Sequence, residues 1–188
     1  MFGFTAHTDL TALNPKYSMS MIGRDTLESD EAMDEAAIGL ATITGFYNQT
    51  ACANTRIVYV ESDTDEDSMD KVVELGRKYL AALPTLPPVI STAAAGPNKD
   101  LDAEMDAIAL EDDFYHVEGD TVNGGFIVSK FNDRIDFYDQ LNNRVVNFVP
   151  VDDLLDVVKW CDDTTQTVGL YPESDRDRLI DAFSLAGV

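Results

Sequence analysis

The chain has 188 residues, 45% of them hydrophobic, which is enough for one domain with a sizeable core and too few for two ordinary ones. No apolar run is long enough for a membrane-spanning helix, and the composition is not that of a disordered chain. Thirty-five acidic residues face thirteen basic ones, a net charge of -22, so the surface repels phosphate backbones and anionic membranes and argues against a nucleic-acid partner.

Residues 1 to 16 give little pattern, and Asn14-Pro15 marks a turn. Ser18 to Gly23 alternates like a short strand. Ser29, followed by Asp30 and Glu31, starts a helix that runs from Ala32 to Phe46. Its apolar residues spread nearly all round, which predicts deep burial. A strand follows at Arg56 to Glu61. Acidic residues from Asp63 to Asp67 then lead into a helix ending near Leu83, with a stripe of Met69, Val72, Val73, Leu80 and Leu83. Gly76 interrupts that stripe where the period wants an apolar side chain. Pro84 to Pro97 is a loop. Leu101, Met105 and Ile108 mark another helix. Phe114 to Val117 and Gly125 to Ser129 read as strands forming a hairpin or an edge addition. Arg144 to Val151 is a further strand. Asp152-Asp153 caps a helix carrying Leu154, Val157, Val158 and Cys161 on one face. Thr165 to Tyr171 is a strand, and Ser174 caps a last helix ending at Gly187. Strands alternating with helices predict an α/β domain with a mostly parallel, three-layer sheet.

The stretch Tyr47-Asn48-Gln49-Thr50-Ala51-Cys52-Ala53-Asn54-Thr55-Arg56 lies between the first helix and the strand after it. A thiolate nucleophile must be reachable and held on a fixed turn, and small and amide residues flank Cys52 in this way. A free cysteine is more often a buried small hydrophobe, and that alternative stays open. Cys161 reads as core. Two cysteines make no disulfide framework, and Met1 to Thr5 has neither a basic n-region nor a signal-peptide core, so the expected location is the cytoplasm.

Other chemistry is poorly served. There is no G-x-G-x-x-G, no P-loop and no G-x-S-x-G. His7 and His116 are too few for a metal site. Asp63, Asp65, Asp67 and Glu74 match positions 1, 3, 5 and 12 of a calcium loop, but Ser68 replaces the turn glycine, which favours a capped helix over a metal site. The acids are spread along the chain, as on a solvated, salt-adapted surface. A cation-loaded or partner-binding acidic module is the alternative.

Asn14 to Ile22, Tyr47 to Cys52 with Thr55 to Val60, Asn143-Arg144-Val145-Val146, Phe148 to Leu154, Gln166 to Leu170 and the closing Leu185-Ala186-Gly187-Val188 together resemble the catalytic half of the aldehyde dehydrogenase superfamily. Within it the sequence is most similar to the LuxC-type long-chain acyl-CoA reductases, which supply fatty aldehyde to bacterial luciferase. The resemblance implies a catalytic domain over residues 1–188, with a cofactor-binding domain outside this chain. It implies that Cys52 attacks a long-chain acyl-CoA or acyl-carrier thioester, and that its backbone N–H helps hold the oxyanion. NADPH then supplies the hydride, and a thiohemiacetal collapses to aldehyde. It also implies other subunits of a fatty acid reductase complex, and an exposed apolar face suited to self-association.

Asn48 and Gln49 would shape the turn or face the site. Lys16 would contact the cofactor or be a surface lysine. Two departures matter. Ala12 stands where the superfamily has the Glu that activates water, which suits a reductase that keeps its acyl-enzyme. Gln140, Asn142 and Asn143 replace the usual Glu-x-Phe-Gly, so those cofactor contacts do not carry over. A thiol-dependent aldehyde dehydrogenase of other substrate range is a further alternative.

Overall fold

The computed structural model describes residues 16–187. Four α-helices and six strands are joined by short 3-10 turns. They are β1 (Tyr17–Ile22), α1 (Asp30–Gly45), β2 (Thr55–Glu61), α2 (Glu66–Ala82), α3 (Lys99–Ile108), β3 (Tyr115–Asp120), β4 (Gly124–Ser129), β5 (Val145–Val151), β6 (Thr165–Tyr171) and α4 (Arg176–Leu185). The strands form one sheet in the order β3-β4-β5-β2-β1-β6. Every neighbouring pair is parallel except the β3–β4 hairpin at one edge. The expected α/β class, parallel sheet and edge hairpin are all present.

The strands β1, β4 and β5 are buried along their whole length, because both faces are covered. Alternate residues supply the two faces. Val58, Val60, Phe126, Val128, Val146 and Phe148 pack with α1 and α2. On the other face, Met19, Met21, Ile57, Tyr59, Val149 and Val151 pack with α4 and the 3-10 segment Leu154–Trp160. A third cluster joins Leu101 and Met105 of α3 to Ile127, Val145 and the inserted Ile135, Phe137 and Leu141. This gives the three expected layers. The parallel neighbours β4 and β5 are joined without an α-helix, and residues 130–144 cross over by laying those three side chains into the third cluster.

Local signals explain the helix ends. Ser29 accepts from Ala32 N at the head of α1, Asp65 from Ser68 N at α2, and Asn98 from Leu101 N at α3. Asp65 is thus a helix cap and Asp63 pairs with Arg24, so these two acids of the calcium-like pattern serve the fold.

Three expectations need correction. Helix α1 is not deeply buried: Met33, Ala36, Ala37, Leu40, Ala41 and Thr44 face the core, but Ile38 is 55% exposed. It is an outer layer, with nothing among the described residues covering its far side. Residues 154–160 wind as a 3-10 helix, so Cys161 lies just past its end. Asp153, as expected, caps it by accepting from Leu155 N. Ser174 caps nothing, because it sits inside the 3-10 turn Glu173–Asp175 that runs into α4.

Gly76 has a packing reason. A Cβ there would lie 2.5 Å from the Phe126 ring, so only glycine lets α2 approach β4 this closely. Gly76→Ala is expected to lower stability by about 1–3 kcal/mol, overriding the roughly 1 kcal/mol that alanine gains in helix propensity. Urea unfolding measures it, and a Phe126→Leu partner substitution should recover part of the loss.

Candidate active site

The cysteine turn begins where α1 must stop. A Cβ on Gly45 would lie 2.9 Å from Leu86 and 3.0 Å from Ser91, so no side chain fits at this helix end. The next residues take an uncommon path: Tyr47, Asn48 and Gln49 all have left-handed φ, at 50°, 50° and 63°. For non-glycine residues each such step costs about 1–2 kcal/mol. Three consecutive ones persist only if the surroundings over-determine them.

Three amide side chains do so. Gln49 is 1% exposed, and its Nε2 donates to Thr55 O at 2.9 Å and Val145 O at 2.8 Å, while its Oε1 accepts from Val145 N at 3.1 Å. It ties the turn to β2 and β5. Asn48 Oδ1 accepts from Thr92 N and Ser91 Oγ, and its Nδ2 donates to Thr92 Oγ1. Asn54 Nδ2 donates to Ile43 O and Phe46 O, taking up carbonyls at the end of α1, and its Oδ1 accepts from Ala51 N.

On this frame Cys52 is exposed. Its carbonyl accepts from Ser18 Oγ at 2.8 Å, which fixes the turn to β1. Cys161, by contrast, is half-buried beside Tyr59 and Trp160, and burial pushes its thiol up to about 11. Of the two cysteines, Cys52 is the more exposed.

Arg56, the second residue of β2, reaches a cleft of about 190 Å³ that it lines with Lys16, Tyr17, Tyr138, Asp139 and Thr164. Its Nε is buried with no partner among the described residues. Burial pushes the guanidinium below its ordinary value, while the charges of Asp139 and Cys52 act in the opposite direction. Lys16 is exposed, and its Nζ donates to Asp163 O at 2.8 Å. Arg134 lies 3.7 Å over the Tyr138 ring and donates to Tyr17 Oη, bracing two of the residues that line the cleft.

The site therefore lies at the N-terminal ends of the parallel strands, since the cysteine turn precedes β2, Lys16 precedes β1 and Thr164 precedes β6. That is the opposite end from the one most open α/β sheets use for ligands.

The structure brings Cys52, Asn48 and Gln49 into one turn, with Lys16 at the neighbouring strand start. Asn48 and Gln49 are bound inward as supports. Asn54 and Arg56 are additions to the expected set, and the spacing around Cys52 gave no sign of either role. His116 is on the far edge strand, paired with Glu118 at 2.7 Å, and Arg77 holds the same carboxylate. His7 and Ala12 lie outside the described residues. Asn142 Nδ2 donates to Gln140 O and its Oδ1 accepts from Asn98, while Asn143 Nδ2 donates to Thr121 O.

The fold is that of the aldehyde dehydrogenases. The indole-3-acetaldehyde dehydrogenase AldA of P. syringae superposes with a TM-score of 0.55 at 14% identity, covering 89% of this chain and 36% of that one. A benzaldehyde dehydrogenase of Corynebacterium glutamicum gives 0.55 at 16% identity, covering 91% and 37%. Within that class the chain belongs to the acyl-CoA reductase (LuxC) family, whose profile matches residues 6–188. It is 26% identical over 184 residues to the long-chain acyl-protein thioester reductase of Vibrio harveyi. That match takes in 97% of this chain and 36% of the relative, so the chain spans little more than a third of the relative's length.

Proposed function

We propose that this chain is the acyl-transfer part of a fatty acyl thioester reductase, with Cys52 as the nucleophile. The carrying observation is an exposed thiol on a turn whose strained backbone is locked by Gln49, Asn48 and Asn54. The Cys52 thiolate adds to the carbonyl carbon of a long-chain acyl thioester. The Cys52 backbone N–H steadies the oxyanion. The C–S bond to the carrier then breaks, the carrier leaves as a thiolate, and the acyl group remains on Cys52 Sγ. Arg56 supplies a fixed positive charge beside the turn while negative charge passes between sulfurs.

The described residues do not fit a dinucleotide by themselves. Lys16 Nζ donates to Asp163 O, Asn142 is bonded to Asn98 and to the Gln140 carbonyl, and Asn143 is bonded to the Thr121 carbonyl. On this reading the nucleotide site belongs to residues outside this chain, where NADPH would supply the hydride that releases the aldehyde. The same reading takes the partners to be an acyl-CoA or acyl-carrier thioester and other subunits of a reductase complex. Pairing of two copies would cover apolar surface such as Ile38 and Tyr47. No described helix is long and apolar enough to cross a membrane, and the proposed location is the cytoplasm.

Intact mass after incubation with tetradecanoyl-CoA tests the reading. The wild type and Cys161→Ala should each gain one acyl group, and Cys52→Ala none. An adduct retained in Cys52→Ala would move the nucleophile elsewhere. No adduct on a chain whose Cys52 still reacts with iodoacetamide would remove acyl transfer from this domain.

A further inference from the structure

Ser91 and Thr92, to which Asn48 of the cysteine turn is bonded, line a second cleft of about 500 Å³, between the end of α2 and the β3–β4 turn. Leu80, Leu83, Pro84 and Leu86 give it apolar walls. Arg144 lines it too, yet is only 3% exposed. Arginine is almost never so buried without a counter-charge. Among the described residues, its guanidinium donates to Val122 O at 2.8 Å and to Ser91 Oγ at 3.4 Å, and no carboxylate is in ion-pair contact with it. Five N–H groups are available on the fork, so most of its donors remain unused.

Asp120 also lines the cleft, but its carboxylate accepts from Val122 N, Asn123 N and Asn123 Nδ2 and is committed to its own turn. Burial pushes the Arg144 guanidinium below its ordinary value, and the charge of Asp120 only partly opposes this. The backbone that presents it is left-handed at Asn143 and Arg144, with φ of 55° and 65°. Tyr79 Oη donates to Arg144 O and Asn143 Nδ2 to Thr121 O, which hold that strained path. An under-matched cation is thus held against an apolar cleft.

We infer that this cleft binds an amphiphile with a carboxylate head and a medium-length alkyl tail, the head on Arg144 and the tail along Leu80, Leu83 and Leu86. A carboxylate can take two guanidinium N–H bonds at once. The cleft is of ordinary small-molecule size. Asp120 nearby and the net charge of -22 disfavour a doubly charged phosphate head. Ser91 Oγ accepts from Arg144 and donates to Asn48 Oδ1, so two hydrogen bonds in series link the Arg144 guanidinium to the cysteine turn. Binding there needs no chemistry at Cys52.

Isothermal titration with decanoate, decan-1-ol and inorganic phosphate, below micelle-forming concentrations, tests this. The wild type and Cys52→Ala should bind decanoate equally, and at least tenfold more tightly than decanol. Arg144→Met should erase that preference. Ala93→Trp, on the exposed lip of the cleft, should weaken both ligands at least tenfold. Should Arg144→Met not unfold cooperatively, Ala93→Trp carries the test. Decanoate bound no better than decanol, decanoate binding untouched by Ala93→Trp, or inorganic phosphate bound as tightly as decanoate would each overturn the inference. Loss of acyl transfer with decanoate binding intact would instead count against the proposed function alone.

Discussion

Gln49→Ala is expected to lower stability by about 3–5 kcal/mol and to slow acylation of Cys52 about a hundredfold. The side chain is almost wholly buried and serves Thr55 O, Val145 O and Val145 N. Removing it strips partners from buried backbone groups, at about 1–3 kcal/mol for each one left unsatisfied. Val145 N also donates to Asn142 O, so it is not fully orphaned, which keeps the total below the sum of three such losses. The kinetic effect has a separate origin. The left-handed steps at Tyr47, Asn48 and Gln49 relax once their anchor is gone, and a displacement of about 1 Å at a nucleophile can cost roughly 100-fold. Gln49→Glu separates bonding from packing, because it keeps the volume and turns a carboxylate toward two carbonyls. It should be at least as damaging. Asn48→Ala, at a half-buried position, should cost only about 1–2 kcal/mol. Urea unfolding and the rate of adduct formation measure both arms. A Gln49→Ala chain within 1 kcal/mol of the wild type would mean that Asn48 and Asn54 hold the turn unaided.

What a reader could extract from the sequence follows the range of the interactions involved. Strand Thr165–Tyr171 was legible to the residue, and the cap at Ser29 was legible because the bond to Ala32 N closes within three residues. The parallel sheet followed from apolar runs separated by helical stripes. The resemblance pointed to the family and to Cys52. The 3-10 winding of Leu154–Trp160 was not legible, because apolar residues three apart suit both helix types. Nor was the outward face of α1, since Ile38 looks like any core residue until its layer is known.

The supports of the site were hidden for a sharper reason. Gln49 is bonded to Val145, 96 positions along the chain, and Asn48 to Thr92, 44 positions along. An amide beside a cysteine reads as a polar neighbour, and only the fold reveals it as a buried clamp. Arg144 is the same kind of case. In sequence it is a strand residue, and its burial without a carboxylate partner emerges only when the β3–β4 turn closes over it.

The charge of the chain sets the last expectation: its thermal midpoint should rise by about 5–10 °C between 0.05 and 1 M KCl. Thirty-five acids against thirteen bases leave a net -22 on a molecule whose sheet is covered on both faces, so the excess acids stand on the outer surface. Their mutual repulsion favours expansion, and salt screens it as the Debye length falls from over 10 Å to about 3 Å. Ion pairs act with the opposite sign. Arg178 bridges Glu61, Asp153 and Asp175, Arg77 holds Glu118, and Lys78 holds Asp34, and salt weakens all of these. Exposed pairs contribute roughly 0–1 kcal/mol each, and so few cannot offset an uncompensated excess of this size. If screening recovers about 2–3 kcal/mol, a domain of this length gains roughly 2–4 °C per kcal/mol. Thermal unfolding in a KCl series measures the shift. A flat or falling midpoint would mean that the Arg178 cluster and its like match or outweigh the repulsion, and Arg178→Ala should then shift the salt response upward. A rising midpoint that Arg178→Ala leaves unchanged in slope would place the effect in the dispersed surface acids.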